Sequence, residues 1–215
     1  MRLLDLFCGA GGAAKGYHDA GFDDIVGVDI KPQKRYPFTF VLGDALEYVE
    51  LHGHEFDLIH ASPPCQEYSV TKSIHGNSYP DLVEMTRTAL IKTGKPYVIE
   101  NVPGAPLINP LVLCGSMFPE LRVYRHRLFE CNPPIWFPPG QCNHKFSMPK
   151  SKGEYHTLDK QDFITCVGHN FQAKSGRLAM DISWMTRDEL AQAIPPAYTE
   201  FIGTQMISAI GREND

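Results

Sequence analysis

A cysteine and a glutamate of this 215-residue chain each stand directly behind an apolar run, where a strand must end. Cys65 follows two prolines in the stretch SPPCQ, behind the run FDLIHA. Because proline fixes its own φ and biases the preceding residue toward extended geometry, the prolines stop the strand and hold the next residue in a defined pose. A rigidly held, partly shielded thiol there is placed like a nucleophile. The alternative is a small apolar residue that closes a turn.

The second group is Glu100, in the stretch VIENV that also contains Asn101. A carboxyl group behind a buried strand is partly desolvated, which raises its pKa and lets it carry a proton near neutral pH. Glu100 could then give that proton to a base ring, unless it simply faces water. In YRHRLFE, Arg125 and Arg127 alternate along an expected strand, so both could hold a phosphate or a carbonyl oxygen. An exposed strand face is the alternative for this pair.

The stretch DLFCGAGG, residues 5–12, is typical of a nucleotide-cofactor site, although an ordinary strand-to-helix connection can look the same. Its glycines permit a tight turn and let a ligand approach the backbone. Asp29 ends the second run, where an acid can grip a ribose diol, and Asp44 follows the third, where it could reach an adenine amino group. Because the full GxGxxG pattern of pyrophosphate sites is missing, S-adenosylmethionine fits better than a dinucleotide.

The hydrophobic pattern predicts the framework that positions these groups. Up to about residue 102, runs that are apolar throughout alternate with helix-like segments, which is typical of a parallel sheet covered on both faces, an α/β fold. The stretch 131–176 is irregular and predicts a small lobe. A capping-box pattern at Thr186–Glu189 predicts a helix start, and AYTEFIGTQMISAIG predicts another helix.

Taken in order, the Gly-rich turn, the two acids, PPCQ, ENV and the RxR pair resemble the DNA (cytosine-5) methyltransferases, and the short insert resembles their compact phage and prophage forms. The resemblance implies a Rossmann-like S-adenosylmethionine-dependent methyltransferase sheet with a small irregular target-recognition insert. It divides the chain into a catalytic, cofactor-binding domain, residues 1–130 and 184–215, and a target-recognition lobe, residues 131–183.

The same resemblance implies a role for each site residue. Cys65 would attack C6 of a cytosine swung out of the DNA duplex, while Glu100 protonates N3 so that C5 can accept a methyl group. Asn101 would shape the loop, and Arg127, with Arg125, would contact the ring oxygen and the surroundings of the thiol. The contacts implied for S-adenosyl-L-methionine are made by Phe7, Gly9, Gly11, Gly12, Asp29, Ile30, Asp44 and Pro64.

Three other functions stay open at this level. The substrate could be a cytosine of RNA or of a free nucleotide, because the insert resembles no known type of target-recognition region. An enzyme that methylates an exocyclic amino group of DNA usually has an aromatic residue after its two prolines, where this chain has Cys65. A catalytically idle DNA-binding module is opposed by the pair of Cys65 and Glu100.

Charge is unevenly distributed along the chain. Residues 122–177 hold nine Lys or Arg against four acids, a balance of about +5, whereas the whole chain carries −5. This asymmetry favours a face that meets DNA, although solvated loops would give it too. No apolar run approaches the roughly 18 residues of a membrane helix. We therefore expect a cytoplasmic protein with no membrane partner. The resemblance implies a bacterial or phage-infected host cell and a role such as restriction-modification, and we expect a monomer.

The six cysteines are scattered, and we expect them to be reduced. Cys131, Cys142, His144 and Cys166 of the insert could supply four zinc ligands, but the insert has no CxxC pair. We therefore assign no metal ligand and expect ordinary polar and packing roles for these side chains.

Overall fold

The computed structural model describes residues 1–64, 82–135, 137–145 and 162–213. Its strands are β1 Arg2–Leu6, β2 Asp24–Asp29, β3 Thr39–Leu42, β4 Leu58–Ala61, β5 Tyr97–Asn101, β6 Leu111–Leu113 and β7 Arg127–Asn132. Its α-helices are α1 Gly12–Ala20, α2 Ala45–His52, α3 Leu82–Thr93, α4 Ala173–Met180, α5 Arg187–Gln192 and α6 Pro196–Glu213. Single 3₁₀ turns lie at Gly53–Glu55 and Gly115–Met117.

All seven strands form one sheet in the order β3-β2-β1-β4-β5-β7-β6. The first five strands pair in parallel, and β7 inserts antiparallel between β5 and β6. β4 and β5 are buried along their whole length, because helices cover both faces of the sheet centre. The α/β prediction is therefore confirmed, and with it the five strands expected from the apolar runs.

Two apolar cores lie on opposite faces of this sheet. One joins β1 to α1 and α6 through Leu3, Tyr17 and Met206. The other joins the same strand to α2 and α3 through residues such as Leu4 and Leu90. Adjacent residues of β1 thus enter different cores, because side chains alternate across a strand.

The predicted lobe 131–183 is only partly irregular in its described residues. β7 continues to Asn132, and α4 occupies Ala173–Met180. Ile164 forms a bridge with Val123, and both side chains are buried in the core that contains α1 and α6. Apolar contacts to the main domain therefore organise the later part of this region. None of the described helices is both long enough and apolar enough to cross a membrane.

Candidate active site

The strand order reverses between β1 and β4, which places a crevice at the carboxyl ends of these strands. The chain leaves β1 into the Gly-rich turn, leaves β4 into Ser62-Pro63-Pro64, and leaves β5 at Asn101. Since β1, β4 and β5 are parallel neighbours, all three predicted motifs emerge along one edge of the sheet.

The Gly-rich turn is wound tightly and leaves room at one position. Phe7 and Gly9 both have positive φ, 55° and 49°. A Cβ added at Gly9 would meet no atom within 4 Å, so its backbone borders open space that a ligand can enter. Phe7 is half-buried against the core of α2 and α3. Gly11 follows as the N-cap residue of α1.

Residues from the far end of the sequence brace this turn. The Trp184 indole N–H donates to the Ala10 carbonyl at 2.9 Å. The Thr199 hydroxyl donates to the Ala13 carbonyl at 2.8 Å. A Cβ at Gly12 would lie 2.4 Å from the Ile194 carbonyl oxygen, so only glycine permits this approach. Close packing against Ile194 therefore requires glycine at position 12, whether or not a cofactor binds.

Asp29 lies beside the open part of the turn. Its carboxylate accepts hydrogen bonds from the Gly9 N–H at 3.0 Å and the Lys31 N–H at 2.9 Å. The next side chain, Ile30, is 71% exposed and presents an apolar surface beside this carboxylate. An acid with spare lone pairs next to an apolar face suits a ribose with its attached purine. These residues fit the adenosine part of S-adenosylmethionine.

Asp44 has a structural role besides the predicted one. Its Oδ1 accepts from the Leu46 and Glu47 N–H groups at 2.8 and 3.0 Å, which caps α2. The side chain is exposed. Contact of the other oxygen, Oδ2, with an adenine amino group stays a prediction.

The asparagine of the ENV motif ties two of the loops together. The Asn101 side-chain N–H donates to the Pro63 carbonyl at 3.0 Å, and its carbonyl oxygen accepts from the Val102 N–H at 2.9 Å. Pro63 is buried, and Pro64 is exposed. Cys65 follows immediately but lies outside the described residues. The hydrogen bond between Asn101 and Pro63 therefore fixes the backbone just before Cys65 relative to the end of β5.

Glu100 is only 6% exposed and lies beside Arg127. The Arg127 Nε lies 2.9 Å from Glu100 Oε1, although that oxygen accepts no hydrogen bond among the described residues. Burial raises the pKa of Glu100, while Arg127, Arg125 and the Ser62 hydroxyl favour the charged form and lower it; the net shift is upward. The carboxyl group can therefore hold a proton at higher pH than a free glutamate.

A chain of polar side chains behind Glu100 escaped the sequence analysis. The Tyr17 hydroxyl lies 3.0 Å from His60 Nδ1, and His60 Nε2 lies 2.9 Å from the Ser62 Oγ. Burial lowers the pKa of His60 to about 3, so the ring is neutral. A neutral imidazole donates a hydrogen bond at one ring nitrogen and accepts one at the other. His60 can therefore link the Tyr17 and Ser62 hydroxyls in one continuous series of hydrogen bonds. The sequence contains one indication of this hydrogen-bonded series, since His60 and Ser62 stand at the end of the apolar run FDLIHA.

Arg125 donates hydrogen bonds to backbone carbonyls of the protein. Its two Nη atoms donate to Cys166 and Ala191 at 2.8 Å each, and the side chain is 4% exposed. The strand expected over YRHRLFE begins only at Arg127, so the two arginines do not lie on one strand face. Contact of Arg125 with a substrate ring stays a prediction.

The alternative zinc set is not assembled as the sequence suggested. Cys142 and His144 do lie together, but beside Cys114 and His126 rather than Cys131 and Cys166. Cys131 lies on β7, and Cys166 is buried near Arg125. Burial raises the pKa of both thiols to about 12, as expected for cysteines used in packing.

The family model of the C-5 cytosine-specific DNA methylases matches residues 1–107, the region that contains the Gly-rich turn, Asp29, SPPCQ and ENV. The chain belongs to this family. The type II methyltransferase M.AquIA of Picosynechococcus sp. is 33% identical over 48% of this chain and 49% of its own length. M.XorII of Xanthomonas oryzae pv. oryzae is 33% identical over 47% of this chain and 28% of its own length. The matched region thus spans about half or less of these relatives.

Two solved structures share the fold over almost the whole chain. One is described as a DNA modification methyltransferase encoded within an E. coli prophage, with a TM-score of 0.68 and 13% identity, covering 98% of this chain and 99% of that one. The other is the Dnmt2 methyltransferase of S. pombe, with a TM-score of 0.63 and 12% identity over the same shares. The fold is therefore the Rossmann-like methyltransferase fold.

Proposed function

We propose that this protein transfers a methyl group from S-adenosylmethionine to C5 of cytosine in DNA. One observation supports this above the others. The buried carboxyl of Glu100 and the Ser62-Pro63-Pro64 turn lie side by side, tied by Asn101, at the edge where the Gly-rich turn opens. Cys65 comes directly after that turn, within the stretch that the family model matches.

The cofactor would supply an electrophilic methyl group on a sulfonium sulfur. Its adenosine would lie over Ile30 with the ribose hydroxyls on Asp29, and its amino-acid part would pass the open backbone at Gly9. The exposed apolar surface of Ile30 supports this placement, because an adenine ring would remove that surface from water.

Cytosine C5 is a weak nucleophile, so the protein must activate it. The Cys65 thiolate would bond to C6 while Glu100 gives its proton to N3, which concentrates electron density at C5. After C5 has taken the methyl group, N3 returns its proton to Glu100. A water molecule then takes the C5 proton, and the released electron pair forms the C5–C6 double bond as the Cys65 thiolate leaves C6. The target base must leave the duplex first, at a cost of a few kcal/mol.

Duplex DNA pools that contain 5-fluorocytosine in random flanks test the proposal. Fluorine at C5 cannot leave as a proton does, so methylation stops at the covalent adduct. We expect an adduct that survives denaturing electrophoresis when S-adenosylmethionine is present. Cys65→Ser should abolish it, whereas Cys131→Ser, a thiol on β7, should keep it.

A matched RNA pool separates the alternatives. An adduct with RNA alone would overturn the DNA assignment in favour of RNA methylation, and no adduct with either pool would favour an idle binding module. Bisulfite sequencing of DNA from cells that express the protein would then identify the flanking sequence.

A further inference from the structure

Two cysteines and two histidines that the proposed mechanism does not use lie close together beside the first residue of β7. The Sγ atoms of Cys114 and Cys142 and one ring nitrogen each of His126 and His144 all lie within 4.8 Å of one another. His144 Nε2 is 3.4 Å from the Cys114 Sγ and 3.1 Å from the Cys142 Sγ, and His126 Nε2 is 3.3 Å from the Cys142 Sγ. Tetrahedral zinc places sulfur and nitrogen ligands about 3.5 Å apart. We propose that these four residues bind a structural zinc ion.

Within its described residues, the segment that carries two of these ligands has no regular secondary structure to hold it. Residues 133–135 and 137–145 form no helix or strand, and none of them is buried. Phe137, for example, is 82% exposed. Small irregular segments without an apolar core usually need a metal or a disulfide to keep one conformation. A zinc ion bound by Cys142 and His144 would fix this segment to the sheet.

A hydroxyl group is arranged to support the sulfur ligands. The Ser116 hydroxyl lies 3.3 Å from the Cys114 Sγ and 3.7 Å from the Cys142 Sγ, within donating distance of both. Its oxygen accepts the Asn143 N–H at 3.0 Å, which aims the hydroxyl proton toward the sulfurs. Thiolates bound to zinc commonly accept such hydrogen bonds, which orient them and tune their charge.

The ligand types select the metal. Two thiolates and two imidazoles suit zinc and are poor ligands for magnesium or calcium, which prefer oxygen. Four protein ligands complete a tetrahedron and leave no position for water, so the ion would have a structural role rather than a catalytic one. Each zinc ion bound would displace the two thiol protons.

The site would also connect the insert to the candidate active site. Cys114 follows β6, and His126 immediately precedes β7, whose first residue is Arg127. Arg127 contacts Glu100. Zinc would thus fix the backbone from which Arg127 reaches the carboxyl group.

Metal analysis of the full-length protein, purified without chelator from zinc-supplemented cells, tests the proposal. We expect about one zinc per chain, with X-ray absorption showing two sulfur and two nitrogen neighbours. Cys142→Ser and His144→Gln should each lose at least nine-tenths of the metal. His169→Gln, an exposed histidine that pairs with Asp188, is the matched control and should keep it.

The X-ray absorption of the wild-type protein keeps the test decisive if a variant fails to fold. A metal-free wild type, a Cys114–Cys142 disulfide, or metal retained in both ligand variants would overturn the proposal. Ser116→Ala should weaken zinc binding about 10- to 100-fold in competition with a chelator. None of these measurements depends on methyl transfer, so the outcome is independent of the proposed function.

Discussion

Glu100 is buried next to two arginines and a hydroxyl group, so its protonation depends on opposing effects. Replacing it with glutamine removes the acidic proton and keeps the shape. We expect Glu100→Gln to lower the methylation rate about 10²- to 10⁴-fold, because proton transfer to N3 is lost. Cofactor affinity, measured by calorimetry, should change little. Equal losses in rate and affinity would show instead that the acid is structural.

Ser62 offers a finer test of the same carboxyl group. Its hydroxyl favours the charged form of Glu100, so Ser62→Ala should raise the pKa of Glu100 further. The proposed mechanism uses the protonated form, and activity is lost as pH rises through this pKa. The alkaline decline of kcat/KM should therefore move to higher pH in the variant. Ser208→Ala, on the exposed face of α6, should leave the profile where it is.

Site residues that directly follow an apolar run could be predicted from the sequence. Residues that meet only through contacts between distant parts of the chain could not. Glu100 and Asp29 directly follow apolar runs, and both occupy the expected edge of the sheet. Tyr17 meets His60 only because α1 packs on β4, a contact between residues that are 43 positions apart. The zinc set was wrong for the same reason: Cys114 precedes the insert, and His126 lies inside the arginine motif.

At the scale of elements, α1 and α6 pack so closely that glycine is needed at points of contact such as Gly16. A Cβ at Gly16 would lie 2.0 Å from the Pro196 carbonyl oxygen, a backbone atom that cannot rotate away. We expect Gly16→Ala to lower the free energy of unfolding by about 1–3 kcal/mol, the usual cost of overpacking. Urea denaturation followed by circular dichroism measures the change.

Gly211 of α6 is the matched control for this substitution. A Cβ there would meet nothing within 4 Å, so Gly211→Ala should leave stability unchanged or raise it by up to about 1 kcal/mol through helix propensity. Similar losses in both variants would contradict the close-packing explanation.

Elements with strong periodicity were predictable, and those shaped by long-range contacts were less so. The five parallel strands and α6 follow from apolar runs, and the capping box starts α5 as expected, with Thr186 and Glu189 bonded reciprocally. α4 was not predicted, because the buried face of its short sequence AKSGRLAM includes Ser175 and Gly176, which are neither apolar nor strong helix formers. Burial of Met180 against the main core compensates for this weak local preference.

At the scale of the whole molecule, charge separation should govern binding to DNA. The excess of Lys and Arg in residues 122–177 predicts affinity that falls steeply with salt, because bound phosphates release counterions. Lys174→Ala, an exposed residue on α4, should reduce the slope of log affinity against log salt by about one. Lys92→Ala, an exposed residue on α3, should leave the slope unchanged. Fluorescence anisotropy at several salt concentrations measures both, and equal slopes in all three proteins would place Lys174 outside the contact surface.

The bracing of the Gly-rich turn bears on how the protein is made. Ala10 is synthesised 174 residues before Trp184, whose indole N–H donates to the Ala10 carbonyl. Ile194 and Thr199, which pack on the same turn, come later still. The turn proposed to hold the methyl donor can therefore be braced only after residues 184–199 have been synthesised, so translation products that stop before them should bind the donor poorly and should not compete for it.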